Sequence, residues 1–135
     1  MFNRIVVQEA LKRTWVLDNN PGLTPKNSLD GQDSVNSLLI HDIFGGDILK
    51  TRNKKGWHFY NRIDGERIDF TGSKMGKTVK DNFFEDIPST PDETHNYFSQ
   101  EDYSTFFMRF VRVFEEAVGL EKYQDYSLTY FACTQ

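Results

Sequence analysis

Cysteine is nearly absent from this sequence. Cys133, two residues from the C-terminus, is the only cysteine among 135 residues. One cysteine allows neither a disulfide bond nor a cysteine-based metal cluster within a single chain. It also has no standard nucleophile motif around it, and a lone cysteine usually behaves as a small apolar residue. A single cysteine fits a protein of a reducing compartment.

Long apolar segments and basic blocks are also missing. Glu9 and Lys12 interrupt the region where a signal peptide needs an apolar core, and no later apolar run is long enough to cross a bilayer. The formal net charge is -4, with acids and bases interspersed. This argues against an electrostatic nucleic-acid surface and a basic membrane-binding face. We expect a cytoplasmic protein that binds neither nucleic acid nor membrane.

The length and the apolar pattern predict one domain, residues 1–135, with three helices. The apolar residues of the first helix are Val7, Ala10, Leu11 and Trp15. The second helix begins near Asp33 and ends at Gly45 and Gly46. The third helix covers residues 99–118, with Ser99 as its cap. Residues 72–98 are rich in turn formers and predict a long surface loop. The last ten residues fit either a final strand or an ordered coil.

Residues 56–71 predict a β-hairpin, because Asp64-Gly65 is a strong signal for a two-residue turn. This turn pairs Ile63 with Glu66, and the same register places Tyr60 opposite Asp69 and His58 opposite Thr71. The register also assigns the faces of the hairpin. One face carries His58, Tyr60, Arg62, Arg67, Asp69 and Thr71, and the other, more apolar face carries Trp57, Phe59, Ile63, Ile68 and Phe70.

His58 and Asp69 are diagonal neighbours on the first face, within reach of a side-chain hydrogen bond. A carboxylate in that position orients an imidazole, as a cysteine-histidine-acid triad requires of its sheet. The nucleophile of such a triad arrives on a helix N-terminus, whose dipole lowers the pKa of a thiol. In this chain the corresponding position is Asp33. The His58–Asp69 pair is also compatible with a purely structural cross-strand hydrogen bond.

Asp33 has several possible roles. As an N-cap it accepts a hydrogen bond from the amide of Val35 or Asn36, and its replacement by alanine then costs about 1 kcal/mol. As a carboxylate nucleophile it lacks a second catalytic acid in a recognisable motif. Metal binding by Asp33, His58 and Asp69 has no ligand-spacing signature. We expect the cap, with no metal and no cofactor.

Several motifs between residues 10 and 72 occur in one characteristic order. They are Trp15 in the first helix, "NSLDGQD", "VNSLLIHDIFGGDILKT", "HFYNRIDG" and "RIDFT". In order and spacing they resemble the YunG-like family of small bacterial proteins, whose pattern contains Asn-x-x-x-Gly-Gln-Cys before the buried helix. Two positions depart from it: the cysteine is Asp33 here, and the Gln-Phe that closes the last motif is Lys74-Met75.

The resemblance implies a compact papain-like α+β domain with a helix packed on an antiparallel sheet. It assigns Asp33, His58 and Asp69 to the triad positions of a cysteine hydrolase and makes Gln32 a candidate cleft residue. Because the cysteine is missing, we expect a degenerate, non-catalytic binding or regulatory module for an unidentified protein or small-molecule ligand. The alternative is an active hydrolase or transferase that uses Asp33, Ser34 or a bound water with His58 and Asp69.

Overall fold

A computed structural model describes residues 2–17, 32–53, 56–70 and 84–119. The described residues form an α+β protein, as expected from the sequence. Their contacts divide the chain into two compact units, one assigned to Met1–Asn19 with Ser104–Gln135 and the other to Asn20–Tyr103. The expectation of a single domain over residues 1–135 stays a prediction.

The first unit contains helix α1 (Arg4–Leu17) and most of helix α4 (Gln100–Val118). The rings of Trp15 and Phe106 lie 4.4 Å apart between their centroids. Arg109 Nη1 donates a hydrogen bond of 2.8 Å to the backbone oxygen of Leu17. This bond satisfies one of the carbonyl groups that a helix leaves unpaired at its C-terminus.

The second unit combines helix α2 (Gln32–Phe44) with a sheet of strands β1 (Asp47–Asn53), β2 (Gly56–Ile63), β3 (Glu66–Ile68) and β4 (Ile87–Pro88). The strand order is β3-β2-β1-β4, with antiparallel neighbours. Asn61 Nδ2 on β2 donates a buried hydrogen bond of 2.9 Å to the backbone oxygen of Ser37 on α2. The expected packing of a helix on an antiparallel sheet is confirmed.

Strands β2 and β3 form the predicted hairpin. Ile63 pairs with Glu66, and the turn residues Asp64 and Gly65 have φ values of 52° and 81°. Two positive φ angles are the signature of a type I′ turn. Strand β3 ends at Ile68, earlier than the sequence suggested, and Thr71 lies outside the described residues.

The prediction of a long loop over residues 72–98 is wrong for residues 84–98. This region contains β4, the short helix α3 (Pro91–Thr94) and a 3₁₀ helix (His95–Tyr97). Strand β4 pairs two residues with β1, too few for alternation to be visible in the sequence. Thr90 caps α3 by accepting a hydrogen bond of 3.2 Å from the amide of Glu93. Residues 72–83 lie outside the described part of the chain.

Helix α4 confirms the predicted C-terminal helix. Ser99 Oγ accepts a hydrogen bond of 3.0 Å from the amide of Asp102, and Gly119 follows the last turn with φ 81°. The tail after Gly119, including Cys133, lies outside the described residues. None of the described helices combines the length and the apolar character needed to span a membrane.

Candidate functional site

The imidazole of His58 lies between two carboxylates. Its Nε2 atom is 2.7 Å from Asp69 Oδ2, which is the length of a strong hydrogen bond. Its Nδ1 atom is 3.4 Å from Asp33 Oδ2, an ion-pair distance. The structure therefore brings together the three residues that the sequence proposed, with the acid at position 33 next to one ring nitrogen and Asp69 next to the other.

The hairpin positions His58 and Asp69. The pairing of Asn61 with Ile68 and of Ile63 with Glu66 keeps the predicted register up to the end of β3, and Asp69 is the next residue. The hydrogen bond between the two side chains confirms that they share a face of the hairpin. Asn61 lies on the opposite face of the hairpin, and its side chain donates a hydrogen bond to helix α2.

Helix α2 positions Asp33, but in a different way from a cap. The helix begins at Gln32, so Asp33 belongs to its first turn and not to the N-cap position that the sequence suggested. Asp33 Oδ2 accepts a hydrogen bond of 2.7 Å from the backbone N–H of Phe59 on β2. The carboxylate thus joins the start of the helix to a strand.

The register of the hairpin explains why the amide of Phe59 is available. In a two-residue hairpin, Ile63 and every second residue before it direct their N–H and C=O groups toward the partner strand. Phe59 belongs to that set, yet β3 ends at Ile68 and its ladder stops at Asn61. Asp33 therefore supplies the acceptor that a longer β3 would have provided.

The imidazole of His58 holds its proton strongly in this environment. Burial disfavours the charged imidazole, but the interactions with Asp33 and Asp69 outweigh burial and raise the pKa of His58 from 6.5 to about 10. The side chains of His58, Asp33 and Asp69 are only 17%, 12% and 10% exposed, so solvent weakens these interactions little. At neutral pH His58 is an imidazolium and cannot act as a general base.

The geometry disfavours a shared metal ion. Asp33 and Asp69 approach opposite nitrogens of the same ring, so one ion cannot contact both carboxylates and the imidazole. Within the described part of the chain, no group of three or more histidine, cysteine, aspartate or glutamate side chains is arranged to hold a metal.

The other candidate residues are buried. Ser34 is 1% exposed, and the contacts of the His58 ring nitrogens are with Asp33 and Asp69. Gln32 is 7% exposed, and its Oε1 atom has no hydrogen-bond partner among the described residues. A cavity of about 10 Å³ between α2 and the sheet is lined by Asp33 and Asp69 among others. It has room for about one water molecule.

The sequence did not reveal the cluster of Tyr60, Asp86 and Arg67 beside the triad. Asp86 accepts hydrogen bonds from the hydroxyl of Tyr60 at 2.7 Å and from Arg67 Nη2 at 2.8 Å. The predicted register placed Tyr60 and Arg67 on the face of His58. Asp86, however, lies in the region assigned to a loop, and no local pattern connects it with the hairpin.

Comparisons with known proteins agree with the motifs. The model of the YunG protein family matches residues 3–115. The chain is 35% identical over 97 residues to the uncharacterized protein YunG of Bacillus subtilis (strain 168), covering 72% of this chain and 82% of that protein. No solved structure matches the chain.

Proposed function

The chain belongs to the YunG family, and from this premise we propose that it is a degenerate relative of papain-like cysteine hydrolases that acts as a non-catalytic binding or regulatory module. The observation that carries the proposal is the ion pair of Asp33 with His58. Asp33 occupies the position where the family pattern has a cysteine, and it meets the histidine that would activate that cysteine.

The chemistry of the triad supports a loss of catalysis. A cysteine hydrolase needs a sulfur nucleophile and a histidine that exchanges a proton with it. Asp33 has no sulfur, and its Oδ2 atom already contacts the amide of Phe59 and the ring of His58. His58 keeps its proton far above neutral pH because both of its nitrogens face carboxylates. Neither a free nucleophile nor a free base is left in this arrangement.

A binding role accounts for the polar cluster that remains. Buried ion pairs contribute little net stability compared with well-packed apolar residues, so stability alone is a weak reason to keep two carboxylates and an imidazolium together. The three side chains are only partly buried, at 10–17% exposure, and so remain accessible to solvent. We propose that they recognise a protein or small-molecule ligand in the cytoplasm.

A hydrolysis assay tests the absence of catalysis. Wild type, Asp33→Asn and His58→Ala are incubated with panels of fluorogenic peptide and ester substrates. The proposal predicts that all three proteins give the rate of buffer alone. Hydrolysis by the wild type that both substitutions abolish would identify an active enzyme and overturn the proposal.

A capture experiment tests the binding role. Immobilised wild type and His58→Ala are exposed to lysate of the native cells, and the retained proteins and small molecules are identified by mass spectrometry. The proposal predicts a ligand that the wild type retains and His58→Ala loses. Arg13→Ala is the matched control, because it removes an exposed ion pair with Glu116 in the other compact unit. Identical retention by all three proteins would contradict a role of the triad in binding.

A further inference from the structure

Tyr60 lies beside His58 on the same face of β2. The centroids of the two rings are 6.0 Å apart, and their planes are inclined by 23°. Tyr60 is only 1% exposed, so its ring has little freedom to move. A stacked aromatic ring restricts rotation of the imidazole, and its π face attracts the imidazolium form. Tyr60 is therefore placed to influence the orientation of His58.

The hydroxyl of Tyr60 is held by Asp86 through two hydrogen bonds. It donates to Asp86 Oδ1 at 2.7 Å and accepts from the backbone N–H of Asp86 at 2.7 Å. Burial of the hydroxyl, together with its bond to the carboxylate, raises the pKa of Tyr60 well above its usual value. The hydroxyl consequently remains a donor to Asp86 across the physiological range of pH.

Asp86 is fixed in turn by Arg67 on β3. Arg67 Nε and Nη2 donate to the two carboxylate oxygens at 3.1 Å and 2.8 Å, a bidentate pair. The bonds from Arg67, and to a smaller extent the bond from Tyr60, lower the pKa of Asp86 despite its partial burial. Asp86 has φ 55°, in the left-handed region that non-glycine residues rarely adopt. Strained backbone of this kind persists only where the surrounding contacts hold it.

We propose that Asp86 is a positioning residue for His58 and acts through Tyr60. The contacts of Asp86 with the sheet then set the orientation of the imidazole between Asp33 and Asp69. A ligand or partner that displaces Asp86 would alter the triad without touching it. This inference concerns regulation of the same site and rests on the proposed function for its significance, but its test observes His58 directly and does not depend on any ligand.

The test is an NMR titration of the His58 imidazole in the full chain. Tyr60→Phe keeps the ring and the net charge but removes both hydrogen bonds with Asp86. We expect this substitution to lower the pKa of His58 by about one unit or more. Without a fixed ring beside it, the imidazole of His58 should interact less well with the carboxylates of Asp33 and Asp69. Asp86→Asn should lower the pKa at least as much, because it also removes a negative charge.

Glu93→Gln is the matched control for the change of charge. Glu93 belongs to the same part of the chain, contacts Lys50 and Ser89, and has no bond to Tyr60. We expect it to leave the His58 titration unchanged. If Tyr60→Phe also leaves it unchanged, the inference is overturned, whatever Asp86→Asn does. Should Tyr60→Phe fail to fold, Asp86→Asn decides: a shift no larger than that of Glu93→Gln overturns the inference, and a larger one supports it.

Discussion

The Oδ2 atom of Asp33 accepts a hydrogen bond of 2.7 Å from the backbone amide of Phe59, 26 positions later in the chain. The same oxygen lies 3.4 Å from the imidazole of His58. One carboxylate therefore fixes the start of α2 to β2 and also neutralises the charge of the neighbouring imidazolium. Asp33 thus contributes to the tertiary contact between α2 and β2 as well as to the first turn of its own helix.

Substitutions at Asp33 separate this role from simple capping. Asp33→Ala removes both contacts and should lower the free energy of unfolding by about 3 kcal/mol. Asp33→Asn keeps an acceptor of the same length for Phe59 and should cost roughly half as much. Asp33→Ser is too short to reach the strand and should resemble alanine. Urea unfolding of the three variants measures this order. A loss of about 1 kcal/mol for alanine, with much smaller losses for serine and asparagine, would restore the capping account.

The stability of the protein should decrease as the pH rises from neutral toward 10. His58 in the folded chain holds its proton up to a pKa of about 10, whereas the unfolded chain releases it near 6.5. The contribution of protonated His58 to the free energy of unfolding is thus complete below pH 6.5. It is lost as the pH approaches 10, by up to about 1.4 kcal/mol per pH unit. Urea unfolding of wild type and His58→Gln at several pH values measures it. Parallel curves for the two proteins between these limits would contradict the ion-pair geometry.

Gly45 and Gly46 provide a matched pair after α2. Both have a positive φ, at 84° and 81°, but a Cβ on Gly45 would meet nothing within 4 Å, whereas one on Gly46 would lie 2.5 Å from the backbone oxygen of Arg62. Gly45→Ala should cost about 1 kcal/mol from the φ alone. Gly46→Ala should cost roughly 2 kcal/mol more, because a backbone atom must shift. Thermal unfolding compares them, and equal losses would contradict the close approach to β2.

The hairpin was predictable because its information is local. Asp64-Gly65 specifies the turn, the turn specifies the register, and the register places Asp69 beside His58. The helix from Gln32 to Phe44 was equally visible, since its apolar spacing and the two glycines after it mark its extent. These two local features account for most of the candidate site.

The remaining parts depend on contacts between distant residues. The end of β3 at Ile68 leaves the amide of Phe59 available to Asp33, and no sequence pattern announces the length of so short a strand. Strand β4 has two residues and acquires its conformation from β1. Asp86 adopts a left-handed backbone because Tyr60 and Arg67 hold it, and a sequence does not display such compensation.

The reactivity of a restored thiol tests the central claim, that Asp33 occupies a nucleophile position, most directly. Asp33→Cys in a Cys133→Ser background should react with iodoacetamide faster than Cys133 of the wild type. The helix N-terminus and the imidazolium of His58 both favour the thiolate, so the pKa of the new thiol should fall below the usual value of about 8.5.

The measurement is the alkylation rate as a function of pH, with and without His58→Ala. Our account predicts a rate profile shifted to low pH that moves back toward that of a free thiol when His58 is replaced. A profile like that of a free thiol, unchanged by His58→Ala, would contradict it and leave Asp33 as a structural link between α2 and β2.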